Sequence, residues 1–88
     1  MRLVKEITQK YKELKKLTFP TMKERAYMRD YERAFAKMSN FDRDFFLKTY
    51  IKTDNTEWWR EKYSKEFHLR MRSSVSKKFL KYFTKYEA

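Results

Sequence analysis

Apolar residues recur every three or four positions along most of this chain, which is the spacing of one face of an α-helix. The first such stripe predicts a helix from about Leu3 to Leu17. Its members are Val4, Ile7, Tyr11 and Leu14. Pro20 ends this helix, because proline disfavours helical geometry in the residue before it. The stripe is interpreted as a core-facing surface, and a short dimerisation seam is the alternative.

Two further helices are indicated by helix-start signals that precede apolar stripes. Thr21 and Glu24 have the spacing of a capping box, so a helix is predicted from about Met22 to Met38. Its predicted buried face is Tyr27, Tyr31, Ala34, Phe35 and Met38. Ser39 with Asp42 marks the start of the third helix. Its apolar residues are Phe41, Phe45, Phe46, Tyr50 and Ile51. A loop from Lys52 to Thr56 follows.

The last apolar stripe is too long for one straight helix. It consists of Trp59, Tyr63, Phe67, Met71, Val75, Phe79 and Phe83. Each step of four residues turns a stripe by about 40°, so an unbroken helix would carry this one roughly 240° around its axis. A break is therefore predicted at Ser64, whose hydroxyl can accept from free N–H groups at a new helix start. A short helix from about Glu57 to Tyr63, a turn and a longer helix from about Lys65 to Tyr82 would form a helix-turn-helix.

Composition supports an all-α fold in one small domain. The 88 residues include no glycine and one proline, which argues against a turn-rich β fold. Aromatic residues make up 19% of the chain and supply the surface for one modest core. We expect a single domain over residues 1–88, a bundle of four to five helices. An N-terminal helical pair would cover about 1–38 and the helix-turn-helix part about 39–88.

Positive charge is concentrated near the C-terminus. The formal net charge is +11, and residues 60–85 contain nine Lys or Arg residues against two Glu. Residues 19–56 contain eight positive and six negative side chains. A chain this basic attracts polyanions, either nucleic acid or an anionic membrane surface. No segment approaches the roughly 18 consecutive apolar residues of a membrane span. The polar N-terminus lacks the apolar run of a secretion signal, so we expect a cytoplasmic protein and no membrane partner.

The basic helix provides candidate residues for binding double-stranded DNA. Early residues of a recognition helix approach base edges, where arginine suits guanine and leucine can contact a thymine methyl group. The predicted base-reading residues are Lys65, His68, Leu69, Arg72 and Ser73. The predicted phosphate-binding residues are Arg70, Lys77, Lys78 and Lys81.

A family resemblance also indicates DNA binding by this helix. The residues that carry it are Trp58-Trp59, Tyr63-Ser64-Lys65, Arg70-x-Arg72 and Phe79-Leu80. Together they resemble the C-terminal half of small phage transcriptional regulators of the ArpU type. Residues 42–51 are similar to the helix that precedes the DNA-reading pair in region 4 of sigma factors. The resemblance implies a sequence-specific DNA-binding regulator of phage or mobile-element type that binds promoters and contacts RNA polymerase.

This sequence departs from that family at the start of the recognition helix. The family has a basic residue followed by serine and threonine there, whereas Lys65 is followed by Glu66 and Phe67. The hydroxyl pair is missing, so the base specificity of the family is not carried over.

Other classes of function are weighed from the same residues. Catalysis is not expected, because His68 is the only histidine and the chain has neither cysteine nor a glycine for a phosphate loop. No cofactor or metal is expected, since Asp42, Asp44 and Asp54 stand where helix starts would need them. A membrane-surface helix is disfavoured because its aromatic stripe is needed for the core.

The main alternative is a small interaction protein. It would bind and modulate a host or phage enzyme as an inhibitor or adaptor, using Phe, Tyr and Arg side chains as anchors. Composition does not separate the two functions, because arginine and aromatic residues serve both. A homodimer also remains open, since one such DNA-binding module offers little contact area.

Overall fold

Four α-helices account for most of the fold in a computed structural model that describes residues 2–52 and 54–84. They are α1 (Arg2–Lys15), α2 (Met22–Ala36), α3 (Asn40–Phe46) and α4 (Lys65–Thr84). Helix α3 continues directly into a π-helical segment, Leu47–Ile51. The described residues contain no strand, so the predicted all-α class and the number of helices are confirmed. Helix α4 packs against each of the other three.

The three predicted helix starts are confirmed by side-chain caps. Thr21 and Glu24 form the capping box, with Glu24 N–H donating to Thr21 Oγ1 at 3.1 Å and Thr21 N–H to Glu24 Oε1 at 2.7 Å. Ser39 Oγ accepts from the Asp42 N–H at 3.2 Å. Ser64 Oγ accepts from the Phe67 N–H at 3.2 Å, immediately before α4. These caps satisfy N–H groups that a helix start leaves without intrahelical partners.

The core is built largely from aromatic rings contributed by three helices. Tyr31, Phe46 and Phe79 lie at its centre, with ring centroids 4.9 Å apart for Tyr31 and Phe79 and 4.7 Å for Phe46 and Phe79. The buried cluster comprises Val4, Tyr31, Ala34, Met38, Phe45, Phe46, Tyr50, Val75, Phe79 and Phe83. The buried hydroxyls of this core are paired, Thr8 with Tyr31 at 2.8 Å and Tyr50 with Ser76 at 2.5 Å. Aromatic area therefore compensates for the short chain.

The prediction of a short helix from Glu57 to Tyr63 is wrong. Residues 56–62 instead form successive turns, in which Arg60 N–H donates to Glu57 O and Tyr63 N–H donates to Trp59 O. The neighbouring Trp58 and Trp59 both pack inward. The ring centroids of Trp58 and Phe45 are 5.2 Å apart, and those of Trp59 and His68 are 4.6 Å apart. Consecutive residues of an α-helix point about 100° apart, so two adjacent indoles on one surface favour turns over a helix. A C-terminal helix-turn-helix is therefore not confirmed.

The third predicted helix also changes character before its end. Lys52 N–H donates to Leu47 O at 2.7 Å, a span of five residues that widens the last turn into a π-helix. This segment brings Lys48, Thr49 and Tyr50 beside α1 and α4. Thr53, in the predicted loop, lies outside the described residues. Across both described stretches, no helix combines the length and the apolar character that a membrane crossing requires.

Candidate nucleic-acid interface

Helix α4 has one buried face and one exposed basic face. The buried face consists of His68, Val75, Ser76, Phe79 and Phe83. Arg70, Lys77 and Lys81 are all exposed on roughly the opposite side of the helix, within about 40° of one another around its axis. We call these three residues the basic face of α4.

The basic face of α4 carries positive charge that is not neutralised locally. Neither Arg70, Lys77 nor Lys81 forms an ion pair with another residue in the ranges 2–52 and 54–84. Exposed ammonium and guanidinium groups at this spacing can each approach a phosphate group along a duplex. The predicted phosphate-binding character of these three residues is therefore compatible with where they lie.

Lys78, the fourth predicted phosphate-binding residue, lies elsewhere on the helix. Its Nζ is 3.1 Å from Oδ2 of Asp42, whose side chain is buried at the start of α3. The ion pair joins α4 to α3 and gives the Asp42 carboxylate a partner. Lys78 is thus engaged in holding the two helices together.

The predicted base-reading residues are not brought together on one surface. Lys65 and Leu69 are exposed, Ser73 is half-buried, and the three follow one another at intervals of four along one flank of α4. Arg72 points inward, with its guanidinium carbon 5.9 Å from the centre of the Tyr50 ring. His68 is only 7% exposed. The expectation that His68 faces outward is wrong, since its side chain is buried.

The rotational phase of helix α4 explains why His68 is buried. Four steps of four residues separate Phe67 from Phe83, so the apolar stripe turns by about 160° within α4 itself. Because Phe83 is buried, Phe67 is carried to the edge of the core and is 38% exposed. His68, seven residues before Val75, takes the inward position instead. The intervals of seven and four between His68, Val75 and Phe79 could have predicted this from the sequence.

His68 is packed among aromatic rings. Its imidazole stacks on Trp59, with ring centroids 4.6 Å apart and planes 11° from parallel, and it lies 5.4 Å from Phe45. Burial, reinforced by the nearby charge of Arg72, lowers the pKa of His68 below its ordinary value of 6.5. The folded protein therefore favours the neutral imidazole.

Acidification through the range of histidine titration is expected to destabilise the protein. The unfolded chain takes up a proton at a pKa of about 6.5, before the folded chain does, so stability present above that pH is lost as the pH falls. Thermal unfolding at pH 7.5, 6.5 and 5.5 should show a falling Tm, and the variant His68→Asn should show a flatter profile. The pKa of Glu32 is lowered from 4.5, so its own contribution is lost only below this window. Parallel profiles of Tm against pH for the unaltered protein and for His68→Asn would contradict the assignment of this pH dependence to His68.

Comparison with protein-family models, curated protein sequences and solved structures gives no match to this chain. The resemblance to ArpU-type regulators therefore rests on the residues quoted above and stays a prediction.

Proposed function

We propose that this protein is a transcriptional regulator that binds duplex DNA through the basic face of α4. The observation that carries the proposal is the exposure of Arg70, Lys77 and Lys81 on one side of a helix, without ion pairs in the described part of the chain. With 20 residues, α4 is about 30 Å long, and the major groove is wide enough to admit an α-helix.

Different parts of α4 would have different roles in such a complex. Arg70, Lys77 and Lys81 would contact phosphates and set the position of the helix on the duplex. Leu69 and Ser73, on the adjoining flank, and Lys65, at the start of the helix, are the remaining candidates for contacts with base edges. His68 and Arg72 would act indirectly, by fixing the helix against the rest of the fold. Promoter specificity, contact with RNA polymerase and a phage or mobile-element role follow from the resemblance alone.

The proposal is tested by selection from a pool of random duplex DNA with the purified chain, at about 150 mM salt to limit nonspecific attraction. We expect a defined motif to be enriched, and the spacing of any repeated half-site would report a homodimer. Binding to the selected duplex should weaken steeply as salt is raised, because phosphate contacts release counterions. Absence of enrichment together with salt-insensitive binding would contradict the proposal.

The second candidate is a protein that binds and modulates another protein. It is favoured by two large apolar side chains near the connection between α1 and α2, where Phe19 is 88% exposed and Met22 is 87% exposed. Exposed apolar anchors of this kind are typical of protein interfaces rather than of DNA contacts. Such an interface would lose little affinity with salt, which separates it from the DNA-binding proposal.

A further inference from the structure

A second basic region lies away from the proposed DNA-binding face. A cleft of about 350 Å³ opens between α1, the π-helical segment, the turns around Trp58 and the first half of α4. We call it the basic cleft, and the lining residues that matter here are Lys5, Lys12, Lys48, Thr49, His68 and Arg72. His68 and Arg72 lie roughly opposite to Arg70 and Lys77 around the axis of α4, so the two regions are separate.

Three residues that line the basic cleft each carry a buried polar atom that lacks a hydrogen-bond partner. These atoms are Thr49 Oγ1, His68 Nε2 and Arg72 Nε, and they are all of the buried side-chain polar atoms without a partner in residues 2–52 and 54–84. Each of these atoms has almost no accessible surface, so a group in the cleft would reach them only after a small movement of their side chains. Buried polar groups are normally paired, so the gain of partners would favour that movement. The Arg72 Nε–H can only donate, so that group must offer an acceptor.

The charge of the basic cleft specifies the acceptor further. Lys5, Lys12, Lys48 and Arg72 line it, and no carboxylate does. Lys48 is already paired, with its Nζ 3.1 Å from Asp44 Oδ2. Lys5, Lys12 and Arg72 have no ion pair with any described residue. An uncompensated cluster of cations around unpaired donors favours an anion with several oxygens.

We propose that the basic cleft binds the phosphate group of a small phosphorylated ligand, of the size and kind of a nucleoside monophosphate. After a small movement of these side chains toward the cleft, the phosphate oxygens would accept from Arg72 Nε, from the Thr49 hydroxyl and from His68 Nε2 when that nitrogen carries a proton. Lys5 and Lys12 approach from α1 and add charge without rigid geometry.

The size of the basic cleft supports an organic phosphate over the bare ion. Its volume lies at the lower end of the roughly 300–1,000 Å³ typical of small-molecule sites, and an inorganic phosphate would fill only part of it. Trp58 also lines the cleft, with Lys48 Nζ over its ring at 5.4 Å from the centroid, so an aromatic or apolar group of the ligand can pack beside this indole. The two features together describe a charged end and an aromatic end.

The test is titration of the full chain with three probes: inorganic phosphate, adenosine 5′-monophosphate and adenosine. His68 is the only histidine, so its imidazole gives one unambiguous NMR signal at the site. We expect the monophosphate and inorganic phosphate to shift this signal, and adenosine to bind at least roughly tenfold more weakly than the monophosphate. Adenosine binding as tightly as the monophosphate would overturn the proposal.

Matched double variants separate the site from general attraction to a basic protein. Lys5→Gln with Lys12→Gln removes two cations of the basic cleft and should weaken monophosphate binding roughly tenfold or more. Lys10→Gln with Lys16→Gln makes the same change in net charge on nearby residues outside the cleft, and should leave binding unchanged. Equal weakening in both double variants, or no shift of the His68 signal in the unaltered protein, would overturn the proposal. Neither pair of lysines lies on α4, so the two double variants should bind duplex DNA equally, whatever their affinity for the monophosphate.

Discussion

Replacement of Phe79 by alanine is expected to lower the free energy of unfolding by about 3–5 kcal/mol. The Phe79 side chain is fully buried, and its ring contacts Tyr31 of α2, Phe46 of α3 and Phe83 of α4. Removing it leaves a cavity where three helices meet, and a chain of this size has only about 4–13 kcal/mol of stability in total. Each kcal/mol corresponds to roughly 4–8 °C in a small domain, so Tm should fall by at least about 12 °C.

Phe67→Ala is the matched control for this substitution. It removes the same side chain from the same helix, but Phe67 lies at the edge of the core and packs mainly against Tyr63, at 4.9 Å between ring centroids. We expect its effect on the free energy of unfolding to be well under half that of Phe79→Ala. Chemical denaturation of both variants gives the comparison. Equal costs would contradict the phase of α4 described here.

Removal of the three charges on the basic face of α4 is expected to weaken DNA binding by roughly 100-fold at 150 mM salt. The variant carries Arg70→Gln, Lys77→Gln and Lys81→Gln. If each residue neutralises one phosphate, the slope of log affinity against log salt concentration should decrease in magnitude by about 2.7. Since counterion release vanishes as the salt concentration approaches about 1 M, the affinities of the two proteins should converge there. Fluorescence anisotropy with the selected duplex at several salt concentrations measures both quantities.

The control is a triple variant with the same change in charge on other exposed residues, Lys16→Gln, Lys23→Gln and Arg29→Gln. It reduces the overall attraction of the protein for DNA equally but leaves α4 intact. Its salt slope should stay close to that of the unaltered protein. A slope that falls by the same amount in both variants would mean that DNA is held by net charge and not by the basic face of α4.

The helix starts could be predicted because their signals are local. Thr21, Ser39 and Ser64 each accept a hydrogen bond from the backbone N–H three residues later, so these caps can be recognised from the sequence alone. The apolar stripe of α2 was predicted for the same reason, since Tyr31 and Ala34 recur at helical spacing and are buried. Local capping and periodicity together predicted the all-α fold.

The turns over residues 56–62 and the π-helical segment could not be predicted in this way. Both depend on contacts between distant parts of the chain, as Trp58 with Phe45 shows. The sequence around Glu57 is compatible with a helix, and only the packing of two adjacent indoles favours turns. Tertiary contacts override a weak local preference in such short segments.

The two candidate sites also differ in how far the sequence alone predicts them. The concentration of charge in α4 is visible in the sequence, but the direction of each side chain depends on the helix phase, which the long stripe obscured. The basic cleft joins α1 to α4 across some sixty residues of sequence, as Lys12 and Arg72 show. Its only local signal is the helical spacing of three, four and seven among the α1 residues Lys5, Thr8, Gln9 and Lys12.

The turns that precede α4 are attached to the protein by ring contacts more than by backbone pairing. Trp58 rests on Phe45 and Trp59 on His68, while the backbone around them forms isolated turns. A segment held in this way can detach without disturbing the hydrogen bonds of the helices, at a free-energy cost below that of global unfolding. Its detachment would uncover the imidazole of His68 and one wall of the basic cleft. The turns over residues 56–62 would thus act as a cover, whose opening would set how fast a ligand enters and leaves the basic cleft.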